Sequence, residues 1–559
     1  MDDTQSIGYT KRWADTRPSA ELARRYRELG LWRDTTPAAD LRRWAGETPD
    51  AVAVTAHIAG SGVVRLTYRE YADQVERAVA VLAGLGIGQG DVVAVQLPNW
   101  WQLNAVVVAC ARLGAVVAPI MMPVRARELE LMLSRLAPVA YVTTDEWGGY
   151  QHSGALAAIA DRLPSIKHRL IVGGGVKPGE IDLTQRMRQV NPGDFFVDEA
   201  TEDPDQVSIV LFTSGTTGSP RAVLHSFNTF HAGCKSQVVT CGLTSDDVQF
   251  TPHAIAHAVG QLIGNMIPLY LGAGALIADT WNPGKGLDLL ADHGVTVLAG
   301  APVFLEAAAE AAGDQNLELP RLRGVIAGAT TVPSGLVETF KTNLGITVQA
   351  AWGMTEVTGP TLTSPSEDPA DWAARSIGRP HMALETDLRP DGDADAEISA
   401  RNPARLFVRG ACVCLATMGR DGGAINVVAD HDDGWYDTGD LGIPDGRGGI
   451  RLIGRAADRI GGVFMIPAAD VEDALRQHAD ILDAALVGYG PGNQQPCAVV
   501  VSGKQLTLAE VRAYLDSIKM TDWYQPNRLE LLDQLPRNAT GKVDKHHLRT
   551  WLSTLDGIS

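Results

Sequence analysis

Six cysteines scattered over 559 residues are too few to build a disulfide framework. Only Cys412 and Cys414 lie close together, in a C-x-C with no second ligand pair nearby; zinc needs four converging ligands, so buried, idle thiols are expected there. An excess of positive charge is also missing. With 48 basic against 66 acidic side chains, a formal −18, a nucleic-acid backbone or an anionic membrane surface is excluded as the main partner, and any bound anion needs a local site. Long apolar runs are absent too. The longest, AVVVACARLGAVVAPIMM, is interrupted by Arg112, Gly114 and Pro119, which breaks it as a membrane span. The stretch MDDTQSIGYTKRWADTRPS has no apolar segment of the secretory kind, so the expectation is a cytoplasmic protein. No internal repeat or low-complexity tract is visible.

What is present is enough apolar material for more than one domain. β-Branched runs (DVVAVQL, AYVTT, VSIVLF, VTVLAG) alternate with amphipathic stretches (REYADQVERAVAVLAGLG, ARELELMLSRLA). That alternation predicts an α/β fold whose parallel sheets are covered by helices. Acidic connectors with proline or glycine, VNPGDFFVDEATEDPDQ, SPSEDPADW and RPDGDADAE, read as surface loops. After IPDGRGGIRLIGRAADRIGGVFMIP about a hundred residues remain, enough for a small second α/β domain. The expected division is 1–454 and 455–559, with a hinge around 454–462.

One stretch carries specific chemistry. LFTSGTTGSPRAVLHS, Leu211 to Ser226, runs from an apolar strand into Thr213, Ser214, Gly215, Thr216, Thr217 and Gly218. Glycine lets successive backbone N–H groups turn inward, and the hydroxyls add donors, so the loop suits a pyrophosphate-like group whose oxygens only accept. It is not a Walker A loop, because G-x-x-x-x-G-K-[ST] is absent.

The stretch resembles the phosphate loop of the adenylate-forming superfamily, which includes acyl-CoA and aryl-CoA ligases, luciferases and adenylation domains of nonribosomal synthetases. The resemblance recurs in order: AWGMTE (351–356), GWYDTGDLG (434–442), IGRAADRI (453–460) and LPRNATGKVDK (535–545) are similar to its later motifs. LPNWW resembles ligases for alkanoic, alicyclic and aromatic acids.

The resemblance implies a large N-terminal domain that binds ATP and the acid, with a small mobile domain carrying the catalytic lysine. It implies attack of a carboxylate on the α-phosphorus of ATP, loss of pyrophosphate, and transfer of the acyl group to coenzyme A. By the same resemblance, Lys542 bridges the carboxylate and the α-phosphate, Thr355 touches that phosphate, and Glu356 ligates Mg2+. Gly328, Ala329, Trp352 and Gly353 frame the adenine. Asp440 accepts from the ribose hydroxyls and Arg455 donates to the same sugar. His257, Gly260 and Met354 border the acid, in a pocket drawn from 253–260, 301–304 and 352–360; His253 and Cys110 receive no role.

Two places depart from the pattern. Arg221 and Ala222 replace the usual lysine and glycine, and Arg221 is expected to keep the charge and fork onto the β- and γ-phosphates. Ala457 stands where many relatives carry Asp or Lys, and the loop 458–467 is shorter than the family's, which bears on the pantetheine tunnel. The main expectation is therefore an acid:CoA ligase using ATP and Mg2+, with CoA as the acceptor. An alternative keeps the adenylate and changes the acceptor, as in ATP-dependent diazotases that activate nitrite for condensation with an aromatic amine. A third, a non-catalytic nucleotide-binding protein, conflicts with the presence of Lys542 and Glu356. Oligomeric state is left open.

Overall fold

The computed structural model describes residue 13 and residues 15–555, apart from 196, 214–220, 316–318, 392–396, 401, 420–423, 456–459, 461–465, 467, 491–494, 519, 521–523 and 539–540. Two large sheets dominate. In the nine-stranded sheet, Val116–Pro119, Val92–Gln96, Ala140–Thr144, His168–Val172 and Ile181–Asp182 run parallel, joined by β1 (Ile209–Thr213). These strands read as unbroken apolar runs because both faces are covered: Val92–Gln96 is buried at every position. Beyond β1 the sheet turns antiparallel, through β2 (Arg221–His225) to Ala416–Met418 and Ile425–Val427.

The eight-stranded sheet is parallel at its centre and closed at each edge by a hairpin. One of these edge hairpins is β3 (Val348–Met354) and β4 (Val357–Leu362), whose two-residue tip is Thr355 and Glu356. A four-stranded antiparallel sheet contains β5 (Tyr436–Pro444) and β6 (Ile450–Arg455). The small C-terminal domain has its own three-stranded sheet, Ile481–Tyr489, Gln495–Ser502 and Arg528–Leu531, with an apolar cluster on each face.

The predicted helices form where the pattern placed them. In Tyr68–Gly84, Thr67 and Glu70 make a reciprocal capping box, and Tyr68, Tyr71, Val75, Ala78, Val79 and Leu82 bury one stripe. The acidic connectors differ from expectation in one respect. Glu202 and Asp368 are withdrawn from solvent because arginines meet them there: Arg42 and Arg112 on Glu202, Arg379 and Arg447 on Asp368. No helix among the described residues is long and apolar enough to cross a membrane.

Small residues set the distance between elements near the site. Helix α1 (Phe227–Cys241) crosses β4 at Gly233, where a Cβ would sit 2.7 Å from the Thr358 carbonyl oxygen. Gly233→Ala is therefore expected to push α1 off β4 and cost about 1–3 kcal/mol; urea unfolding checks it, and an unchanged midpoint would contradict this packing.

Candidate active site

The stems of the phosphate loop are β1 and β2, and Thr213 lies directly across from Arg221. The loop is thus the tip of a strand-to-strand hairpin; Ser214, Gly215, Thr216, Thr217 and Gly218 lie outside the described residues. Thr355 and Glu356 come to the same place from the other sheet. Their hairpin carries a register shift between Trp352 and Met354, a bulge that re-aims the strand at its end and includes Gly353.

Glu356 is 1% exposed, and its Oε1 pairs with an Arg221 guanidinium nitrogen and accepts from the Tyr436 hydroxyl at 3.2 Å. Burial would lower the Arg221 pKa, but the charge of Glu356, the neighbouring Tyr436 and Cys414, and the hydrogen bond to Glu356 together outweigh it and the value is raised. Burial, then Glu356, pushes the Tyr436 phenol up. Arg221, expected to reach the β- and γ-phosphates, pairs here through one guanidinium nitrogen with Glu356, since a buried carboxylate needs a partner. The turn's backbone is held as well. The Thr355 carbonyl accepts from His225 Nε2 at 2.8 Å and the Glu356 carbonyl from the Cys414 N–H at 2.8 Å.

The adenine and ribose candidates converge. Trp352 donates through Nε1 to Asp440 Oδ2 at 2.8 Å, and both side chains are nearly buried. Asp440 is paired across the ladder with Arg455, whose side chain lies outside the described residues. Gly328 pairs with Ala351, and a Cβ on it would sit 2.8 Å from the Ala351 carbonyl oxygen, so the strands approach there only as glycine allows. Ala329 follows with φ +72°, a left-handed conformation held at a cost for a residue with a side chain.

The acid-side candidates form a second group. His257 caps α2 (Ala258–Gln261), accepting at Nδ1 from the Val259 N–H at 3.4 Å. A Cβ at Gly260 would fall 2.0 Å from the Ala254 carbonyl oxygen, so this glycine lets the 254–255 backbone fold over α2. His253, to which the sequence gave no role, stacks on His257 with centroids 6.1 Å apart and meets the edge of Phe304 at 5.7 Å. Asn99 of LPNWW clamps this loop, donating to the His253 carbonyl at 3.0 Å and accepting from the Ile255 N–H at 2.8 Å. Met354 packs partly buried at the tip of β3.

Lys542 lies in a tight turn in which its own N–H donates to Asn538 Oδ1 at 3.1 Å and its carbonyl accepts from the Asn538 N–H at 2.8 Å. A Cβ built on the adjacent Gly541 would lie 3.8 Å from Val303 on helix α3 (Pro302–Gln315), which brings this turn of the small domain beside the large one near the histidines. Burial, His257 and the charge of Lys542 bring His253 down to about 3, and burial with Lys542 brings His257 down to about 4, so both imidazoles are neutral. On the same interface, burial raises the Glu306 pKa while Arg476 of the small domain opposes it. Cys412 and Cys414 are buried free thiols, and no group of three metal-ligating side chains occurs among the described residues. Mg2+ takes one or two carboxylates and completes its shell with phosphate oxygens and water, so Glu356 alone suits such an ion, provided Arg221 shares the carboxylate. Loop 458–467 with Ala457 lies, except for Ile460 and Ile466, outside the described residues.

His225, Tyr436 and Asn99 were not singled out from the sequence, and His253 was placed in the pocket lining without a role of its own. Residue parity was a signal for two of them: His225 shares a strand face with Arg221, and Tyr436 shares one with Asp440.

Residues 41–416 match the AMP-binding enzyme family and residues 470–542 its C-terminal domain. The chain belongs to the AMP-binding enzymes and is an AMP-forming, ATP-dependent ligase similar to the acid:CoA ligases. It is 30% identical over 556 residues to a Streptomyces salicylyl-CoA synthase / salicylate adenylyltransferase, covering 95% of this chain and 96% of that one. It is 28% identical to the medium-chain fatty-acid–CoA ligase of Escherichia coli, over 94% and 92% of the two chains. It shares its fold with an anthranilate CoA ligase solved with anthranoyl-AMP: TM-score 0.83, 20% identity, 94% of this chain and 98% of that one.

Two outcomes follow from this geometry. Arg221→Ala leaves the Glu356 carboxylate buried without its cation and is expected to cost about 2 kcal/mol or more, less than for a fully buried pair because Arg221 is partly exposed. A double-mutant cycle with Glu356→Gln measures the coupling, and purely additive losses would contradict the pair. His253 and His257 have folded pKa values below the unfolded value, so the unfolded state binds more protons between about pH 6.5 and 4 and stability falls as pH drops through that window. A His253→Gln/His257→Gln variant should lose about 1 kcal/mol or more per histidine of this dependence between pH 7 and 5 in urea titrations; an unchanged slope would contradict it.

Proposed function

We propose that the enzyme adenylates a small alkyl or aryl carboxylic acid and transfers the acyl group to coenzyme A. The observation that carries this reading is the position of Lys542, whose charge is felt by His253 and His257 while its turn lies beside α3. One carboxylate oxygen of the acid attacks the α-phosphorus as the bond to the pyrophosphate oxygen breaks, and pyrophosphate leaves. The CoA sulfur then attacks the acyl carbon, the C–O bond to AMP breaks, and the thiol proton is lost to solvent.

In the first step negative charge gathers between the acid and the α-phosphate. Lys542 places a compact ammonium there, and positioned charge is the main catalytic resource for such a transfer. Thr355 meets the α-phosphate, Trp352, Gly353, Gly328 and Ala329 frame the adenine, and Asp440 and Arg455 hold the ribose. Glu356 would hold Mg2+, which when bound would supply charge neutralisation on the phosphate oxygens. His257, Gly260 and Met354 border the acid, beside neutral, apolar walls that suit an alkyl or aryl group. The expected division at 454/455 falls at the end of β6, whose Arg455 still pairs with Asp440, and beyond that strand the lysine-bearing part is free to turn between the two steps.

A second reading is favoured by one observation. Arg221, the departure in the phosphate loop, pairs with Glu356, which supports altered handling of the leaving group while the lysine is retained. A diazotase of this fold would activate nitrite, which presents two oxygens as a carboxylate does, and pass it to an aromatic amine.

Mass-spectrometric product analysis with Mg-ATP and a panel of benzoate, salicylate, aminobenzoates and octanoate, each with CoA or with nitrite, separates these. Acyl-CoA with AMP is expected; AMP and a diazo product only with nitrite would replace the first reading by the second, and no AMP under any condition would overturn both. With the active acid, Lys542→Ala is expected to lower AMP formation about a hundredfold or more while ATP affinity changes only a few-fold. Unchanged turnover would remove Lys542 from the reaction.

A further inference from the structure

Strand β2 grips the Thr355–Glu356 turn at both of its ends. Residues 221, 223 and 225 share one face of the strand. Arg221, at the exit of the phosphate loop, holds the Glu356 carboxylate, and His225, four residues on, holds the Thr355 carbonyl through Nε2 at 2.8 Å. His225 is fully buried, with its ring edge against Phe230 at 5.2 Å and its Nδ1 2.9 Å from the Thr229 hydroxyl.

These contacts define the ring. A carbonyl only accepts, so Nε2 carries the hydrogen, and in the neutral ring Nδ1 is an acceptor facing the Thr229 hydroxyl, which also donates to the Ser226 carbonyl at 2.8 Å. The peptide between Thr355 and Glu356 is trans, so pinning the Thr355 oxygen toward His225 directs the Glu356 N–H the opposite way. Thr229 belongs to the first turn of α1, and its own carbonyl accepts from the Thr358 hydroxyl at 2.6 Å, so helix, β2 and β4 brace one another around this histidine.

We propose that His225 is a positioning residue for the nucleotide: by fixing the Thr355–Glu356 peptide plane it sets the donors of that turn against the nucleotide's phosphate. It does not touch adenine or ribose, whose candidate holders, Trp352 and Asp440, are bonded to each other elsewhere. This inference rests on nucleotide binding by the AMP-binding fold and not on the identity of the acid or the acceptor.

The test is calorimetric binding of ATP, AMP and adenosine to the full chain, with wild-type AMP binding established first. His225→Leu removes the donor, and His225→Gln retains an N–H at similar reach. In His225→Leu, ATP and AMP are expected to bind about tenfold more weakly, or about 1.4 kcal/mol, with adenosine within about twofold of wild type. His225→Gln should recover most of that loss. Equal weakening of AMP and adenosine, or a Gln variant as poor as the Leu variant, would overturn the assignment. If His225→Leu does not fold, Thr229→Val, which removes the hydroxyl facing Nδ1 together with its bond to the Ser226 carbonyl, is expected to weaken AMP about threefold and leave adenosine unchanged; no selective loss there would also overturn it.

Discussion

The site depends on one buried carboxylate. Glu356 sits at the tip of an edge hairpin of the eight-stranded sheet, and its partners come from elsewhere: Arg221 from the nine-stranded sheet and Tyr436 from the four-stranded one. A carboxylate withdrawn from water without such partners would be expensive, so the ion pair holds three sheets to a common point. The two backbone carbonyls of the tip are taken by His225 and Cys414, so neither the side chain nor the main chain of the turn is left to drift. Preorganised polar groups of this kind let a site act on developing charge without rearranging first.

Around that point the large domain presents two half-sites. On one side the Trp352 to Asp440 hydrogen bond joins the hairpin to β5. On the other, the stacked pair His253 and His257 is kept neutral by burial and by Lys542. Asn99 and Gly260 shape the second half through the backbone, one by bridging two main-chain groups and the other by having no side chain. The small domain then contributes the lysine from a turn that lies beside α3.

Much of the fold was legible because both of its periodicities are strong. Unbroken apolar runs gave the parallel strands, and capped amphipathic stretches gave the helices. Candidate residues in contiguous motifs, such as Trp352, Thr355, Glu356 and Asp440, could be named, and they are brought close by strands of two different sheets. Pairings across the chain could not be read. Arg221 was visible as a departure, yet its partner Glu356 is 135 positions away and only the tertiary structure defines that ion pair. His225 and Tyr436 sat inside quoted motifs, but their parts follow from strand faces and from which sheet lies opposite. Glu202 and Asp368 show the same limit, since acidic loops look exposed until their arginines are found.

The pieces gathered at the Thr355–Glu356 turn imply that the substrate's oxygen becomes bonded to the α-phosphorus. Running the reaction with substrate oxyanion labelled with oxygen-18, and reading AMP by mass spectrometry, tests this directly. One label in the AMP phosphate is predicted, whichever acceptor follows. Turnover with unlabelled AMP, or with the label in inorganic phosphate, would show that no adenylate forms.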